Sequence, residues 1–166
     1  MTLRHRIGQG IDFHRLAEGR ELWLGGVHIA SSKGCVAHSD GDALIHAICD
    51  ALLGAAGMHD IGFHFPDTSE EFRGIDSKIL LRRTIDMVSG KGYRIVNIDS
   101  TVCLESPKLA PFIDSMRSVM ADIAGINSDA IAVKATTTEK MGFTGRGEGV
   151  IAMAVCIIAD MIPDNI

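Results

Sequence analysis

The sequence is poor in aromatic residues, with one Trp, one Tyr and six Phe in 166 positions. That leaves little material for the stacking platforms that grip single-stranded nucleic acid. It has no surplus of positive charge either: 16 Lys and Arg against 21 Asp and Glu give a formal net charge of −5. A broad electrostatic hold on nucleic acid or an anionic membrane is therefore not expected. Any phosphate must be held locally, by backbone amides, a metal or a few placed cations. Cysteine is scarce and scattered. Cys35, Cys49, Cys103 and Cys156 form no Cys-x-x-Cys, so the four read as small apolar residues of a reducing compartment and not as a zinc knuckle or redox pair. No apolar run approaches the ~20 residues of a membrane span, and nothing before Arg4 resembles a signal peptide. A cytoplasmic location is expected. No repeat, low-complexity tract or linker is found, and a composition of 46% hydrophobic and 22% charged residues fits a single globular domain over residues 1–166.

What is present is alternation at both ends and helical periodicity between them. Leu3 to Leu16 alternates in part, Glu21 to Ile29 reads as one short Gly-interrupted strand, and a loop follows. Ala43 to Gly57 carries an apolar helical stripe behind Ser39-Asp40-Gly41-Asp42, and 58–74 has loop composition. A helix opens at Asp76 or Ser77 and stops at Gly90; a strand spans Tyr93 to Leu104. Pro107 and Pro111 lead into a helix ended by Gly125. Ala130 to Ala135 and Val150 to Ala159 read as buried strands around the Gly-rich loop Gly142 to Gly149. The order β-β-α-α-β-α-β-β predicts an α+β domain: one mixed sheet of about four to five strands with about three helices along one face.

Three segments concentrate chemistry. In Asp12-Phe13-His14 the strand period of two points a carboxylate and an imidazole the same way, as two ligands of an oxygen- and nitrogen-coordinated metal. In the helix, Asp42, His46 and Asp50 recur at i, i+4 and i+8, either as a solvated face or as one side of a site. Spacing leaves the ligand set open, since Asp42 with His46 fits as well as His46 with Asp12 and His14. A ligating His usually donates its other N–H to a carboxylate, and Asp42 or Asp50 is placed to receive it. Thr136-Thr137-Thr138-Glu139-Lys140 and the glycines after it supply hydroxyls, a carboxylate and cations that could wrap a diphosphate, with Glu139 offering oxygen to a hard cation. The bland alternative is a Thr136-x-x-Glu139 capping box followed by a bulged loop. Glu105-Ser106-Pro107-Lys108-Leu109 could contact phosphate or base, but ordinary helix initiation at Pro107 is the default.

Taken together, RIGQGIDFHRL, AHSDGDALIHAICDALLGAAGMHDIG, FPDTSEEFRGIDS, ESPKL and VKATTTEKMGFTGRGEG resemble the 2-C-methyl-D-erythritol 2,4-cyclodiphosphate synthase family, in order and over nearly the whole chain. The resemblance implies one synthase domain that converts 4-diphosphocytidyl-2-C-methyl-D-erythritol 2-phosphate into the cyclic diphosphate with release of CMP. It implies Zn²⁺ on Asp12, His14 and His46, and Mg²⁺ or Mn²⁺ bridging the substrate phosphates through Glu139. His38 and Thr137 match transition-state stabilisers. Asp60, Gly62, Phe65 and Asp67 match the grip on the methylerythritol end; Lys108, Leu109, Thr136 and nearby backbone match the cytidine and diphosphate pocket; Ser39, Ile61, Ser106, Pro107 and Thr138 match substrate-binding positions, and Phe143 and Arg146 match further ligand contacts. The family forms homotrimers with active sites between subunits, and weak association with other enzymes of the pathway is compatible with it. Two positions depart from its pattern: Gln9 stands where a His is common near the trimer axis, and Phe63-His64 fills a variable loop.

Overall fold

The first long alternation forms β1 (His5–Glu18), which pairs with two strands and carries the first helix. The computed structural model describes residues 4–161; Leu3, where the first strand is expected to begin, lies outside them. Beside β1 runs β7 (Gly149–Asp160), antiparallel from His5↔Ala159 to Arg15↔Gly149. On the far side of β7 lies β5 (Tyr93–Cys103), antiparallel to it, and β6 (Ile131–Thr136) is parallel to β5. The short β4 (Lys33–Val36) closes the opposite edge against residues 15–18 of β1. The sheet is five-stranded and mixed, ordered β4-β1-β7-β5-β6. The α+β expectation holds.

Two expectations about the strands fail. Segment 21–29 is not one strand but a separate hairpin of β2 (Leu22–Leu24) and β3 (Val27–Ile29). Gly25 and Gly26, at φ of 59° and 74°, form its two-residue turn, and successive left-handed residues of this kind are what a tight hairpin needs. The stretch after it, expected to be loop, contains β4, whose four residues include a glycine and are too few to display alternation.

Three main helices, α1 (Ala43–Ala56), α3 (Ser77–Gly90) and α4 (Ile113–Ala124), cover one face of the sheet. Two single turns, α2 (Ile61–His64) and α5 (Gly142–Gly145), form inside stretches expected as loops, being too short to show a helical period. Pro111, not Pro107, stands at the helix start, in the 3-10 turn Ala110–Phe112 that leads into α4. Pro107 lies in the preceding loop after a cis peptide bond from Ser106.

The packing of α1 on β1 is a backbone contact. A Cβ at Gly8 would sit 1.8 Å from the Ala51 carbonyl oxygen, and one at Gly10 would sit 1.9 Å from that of Ala47. The helix is consequently sunk into the core, with every residue but Asp50 and Gly54 buried, and it packs against α3 on its other side. That corrects the picture of an apolar stripe beside a solvated polar line. The opposite face of the sheet is bare: Ile7, Ile11, Phe13 and Val155 are 71%, 47%, 54% and 43% exposed.

A methyl group at position 10 has no room, so Gly10→Ala should destabilise by about 1–3 kcal/mol or more in urea unfolding. Gly54→Ala, whose Cβ meets only the Gln9 carbonyl at 3.9 Å, should instead stabilise by roughly 0.5–1 kcal/mol through better helix propensity. Equal effects from the two would show that the close approach is not a constraint.

Candidate metal centre

Asp12 and His14 project from β1 on the same side as Gly8 and Gly10, toward α1, while Phe13 turns to the bare face, as the strand period requires. His46 comes down to meet them from the first turns of α1. His14 Nδ1 lies 2.7 Å and His46 Nδ1 3.5 Å from Asp12 Oδ2, and one ligand atom from each of the three falls within 4.8 Å of the others. The imidazole rings are tilted by 53° with centroids 5.3 Å apart.

Two of these atoms are orphans: Asp12 Oδ2 and His14 Nδ1 are buried and make no hydrogen bond. Their 2.7 Å separation is short, but the alignment is wrong for a hydrogen bond. Buried polar atoms without partners are rare in folded proteins, and atoms that converge without bonding one another are placed to share a cation. One carboxylate and two imidazoles form a donor set that suits zinc, with three protein ligands as in catalytic sites. Burial would push the Asp12 carboxyl up, but the adjoining His14 and His46 imidazoles outweigh it and hold the group below its ordinary value. Burial likewise disfavours a charged His46, yet the Asp12 carboxylate wins and the ring is held above the usual imidazole range.

Behind His46 the sequence reading needs correction. Neither Asp42 nor Asp50 receives its second N–H. Asp42 is fully buried at the N-cap of α1, where its carboxylate accepts from the amides of Ile45 (3.0 Å), Gly25 (2.9 Å) and Gly26 (2.6 Å). Unpaired amides at a helix start and a glycine turn compete for a carboxylate and leave it none to share with an imidazole one turn on. Burial raises the Asp42 pKa, and those amides offset part of the rise. Asp50, also raised chiefly by burial, accepts the Ile61 amide at 2.7 Å and holds α2 in place. His46 Nε2 instead meets Ser77 Oγ at 2.9 Å and Ser39 Oγ at 3.3 Å. Ser77 escaped the sequence reading because nothing marks it except its place at a helix start.

The trio opens into a cleft of about 450 Å³ whose walls include His38, Ser39, Ile61, Gly62, Phe65 and Asp67. Asp60, which caps α2 through the Phe63 amide, sits beside them. His38 Nε2 lies 3.2 Å from the Ser69 carbonyl. The remaining predicted residues gather elsewhere. Pro107, Lys108, Leu109, Thr136 and Thr137 line a second cleft of about 320 Å³ at the β6 edge, and the two clefts share no lining residue. Ser106 and Arg146 border a small cleft of about 240 Å³, with Arg146 forked onto Glu148 at 2.8 and 3.1 Å. Phe143 reaches the rim beside His14 and Phe13. No capping box forms: Thr136 Oγ1 donates to the Thr137 carbonyl, Thr137 Oγ1 donates to Glu139 at 3.1 Å, and Thr138 Oγ1 is taken up by Met141 and Thr144. Glu139 and Lys140 adopt left-handed φ of 53° and 64°, and the helical turn α5 follows in place of a bulged loop.

These features define an α+β domain in which three residues that could hold a metal ion, Asp12, His14 and His46, open into a cleft. The chain belongs to the YgbB family, whose model matches residues 5–159. It is 56% identical, over 94% of its own length and 98% of the other's, to the 2-C-methyl-D-erythritol 2,4-cyclodiphosphate synthase of Bacteroides fragilis. Among solved structures it resembles the bifunctional IspDF of Campylobacter jejuni, with TM-score 0.93 and 42% identity over 96% of this chain, while spanning 43% of that longer one. It also resembles a CDP-bound 2C-methyl-D-erythritol-2,4-cyclodiphosphate synthase, with TM-score 0.85 and 38% identity over 92% of this chain and 99% of that one.

Zinc at about 100 times its Kd should stabilise the protein by about 2.7 kcal/mol in thermal unfolding, and His46→Ala should abolish the gain. Because His46 is held above its ordinary value, metal must displace its proton, so zinc affinity should fall as pH is lowered from above the usual imidazole range into it. A pH-independent affinity in that range would refute His46 as a ligand.

Proposed function

We propose that this protein converts 4-diphosphocytidyl-2-C-methyl-D-erythritol 2-phosphate into 2-C-methyl-D-erythritol 2,4-cyclodiphosphate and CMP. The observation that carries the reading is the convergence of Asp12, His14 and His46 on one point in a chain 56% identical to such a synthase. In the reaction a 2-phosphate oxygen bonds to the β-phosphorus and the bond to the CMP oxygen breaks, so no water is consumed. This chemistry chiefly needs in-line positioning and relief of phosphate repulsion, which agrees with the absence of any activated nucleophile among the residues assigned here. The walls bearing Asp60, Gly62, Phe65 and Asp67 hold the methylerythritol end. Lys108, Leu109 and Thr136 hold the cytidine and its phosphates, and His38 and Thr137 donate to oxygens that gain charge as the bonds exchange. Zn²⁺ on the trio and Mg²⁺ or Mn²⁺ at Glu139, when bound, neutralise phosphate oxygens and fix their orientation.

The working form is a homotrimer with each active site shared by neighbours. Two observations support this. The metal cleft and the Lys108–Thr137 cleft are separate within one chain, on strands with two others between them, about 14 Å apart at the ladder spacing. The bare apolar face of the sheet is the kind of surface that a second copy covers. Gln9 lies on that face, in register with Val155 and Asp99. No described helix is long and apolar enough to cross a membrane, and the four cysteines are free and buried; both suit an enzyme of the reducing cytoplasm.

Incubation with the cytidyl substrate and phosphorus NMR should show a cyclic diphosphate and CMP, with no label entering either product from ¹⁸O-water. A labelled phosphate product would replace this reading with hydrolysis. Co-expressing His46→Ala and Thr137→Ala chains should restore activity that neither variant has alone, because some interfaces of a mixed trimer carry both native residues. No restoration would place the two groups in one chain's site.

A further inference from the structure

We propose that Ser77 and Asp40 are positioning residues for the metal centre, forming a relay Asp40···Ser77···His46 that fixes the tautomer and tilt of the His46 ring. The inference rests on the metal-centre reading above and extends it to two residues outside the ligand set.

Ser77 is fully buried at the start of α3. Its amide donates to Asp40 Oδ2 at 2.8 Å and its hydroxyl makes a short bond to Asp40 Oδ1. The direction of each bond follows from donor capacity. A hydroxyl has one hydrogen, and an ionised carboxylate can only accept, so the Ser77 hydrogen is committed to Asp40. Toward His46 Nε2, 2.9 Å away, Ser77 Oγ can then only accept. Nε2 must carry the hydrogen. That leaves the lone pair on Nδ1, the nitrogen facing Asp12, which is the form a metal requires. Asp40 is itself anchored, accepting the Asp42 amide at 3.1 Å, and the Asp40 amide donates to the Ile75 carbonyl at 3.1 Å. The relay thus ties the loop before α1 to the start of α3 and uses both to aim one ring.

Ser39 Oγ is the competing partner, but at 3.3 Å it is the longer contact, and it also accepts the Gly41 amide at 3.1 Å. It lines the cleft, whereas Ser77 does not.

The test measures zinc affinity by chelator competition and the His46 Nε2–H signal by ¹⁵N NMR of the zinc-loaded protein. Ser77→Ala should weaken zinc binding by about 10–100-fold and abolish the slowly exchanging Nε2–H signal. Ser77→Thr, which keeps the hydroxyl, should recover both, and Ser39→Ala should lose less affinity than Ser77→Ala. A folded Ser77→Ala protein with native zinc affinity and an intact Nε2–H signal would overturn the relay, as would a larger loss from Ser39→Ala. Should Ser77→Ala fail to fold, Asp40→Asn serves: its amide can donate to Ser77 and release the Ser77 hydrogen toward Nε2, so it should weaken zinc and shift metal-free His46 toward the Nδ1–H form. Unchanged affinity and tautomer there would also overturn the proposal. Failure of the native protein to bind zinc at all would remove the metal-centre reading, and the relay with it, and is distinguishable because it precedes any substitution.

Discussion

Everything at the metal centre depends on the backbone of α1 lying directly on the glycine face of β1. Two strand residues advance about 6.8 Å and four helix residues about 6.0 Å, so an antiparallel helix and strand stay nearly in step over a few repeats. Gly8 meets Ala51 and Ala55, and Gly10 meets Ala47. The next repeat brings Asp12 to the first turn of α1, between Ala43 and Ala47, which carries His46. Where the stack ceases to be glycine against alanine, the side chains of Asp12, His14 and His46 meet. The close packing is therefore also the device that sets the spacing of the ligands.

A helix sunk this deeply has to satisfy its N-terminal amides without water, and the chain does so with a buried carboxylate. Asp42 binds the start of α1 and the tip of the β2–β3 hairpin together. Asp40, two residues earlier, binds the start of α3 through Ser77. The Asp42 carboxylate would be costly alone in the core and is offset by charge-assisted hydrogen bonds from backbone amides, while Asp40 is half-buried. Three elements distant in sequence are thereby locked around His46 by one short run, Ser39-Asp40-Gly41-Asp42.

The single chain leaves two needs unmet. Its sheet has one dry face and one bare face carrying Ile7, Ile11, Phe13 and Val155, and its polar residues form separate clefts at the β1 side and the β6 edge. In the proposed trimer, copies joined through the bare face would meet both needs, since burying apolar area drives association. On this view the strand alternation that leaves Phe13 outward and Asp12 and His14 inward serves assembly and chemistry at once.

The sequence by itself determined the fold class, the long elements and the same-side pairing of Asp12 with His14, because periods of two and 3.6 are local properties written residue by residue. It also held the motif matches that pointed to the family. The short pieces were not legible: β4, α2 and α5 each span too few residues for a period to show, and the hairpin at Gly25-Gly26 was merged into one strand. Nor could spacing choose between Asp42 and the Asp12–His14 pair as companions of His46, or find Ser77. Those choices belong to tertiary structure alone, since they turn on which atoms compete for each carboxylate once the chain is packed. Asp42 was drawn away by three backbone amides, and His46 was delivered to Asp12 by a contact that only glycine permits.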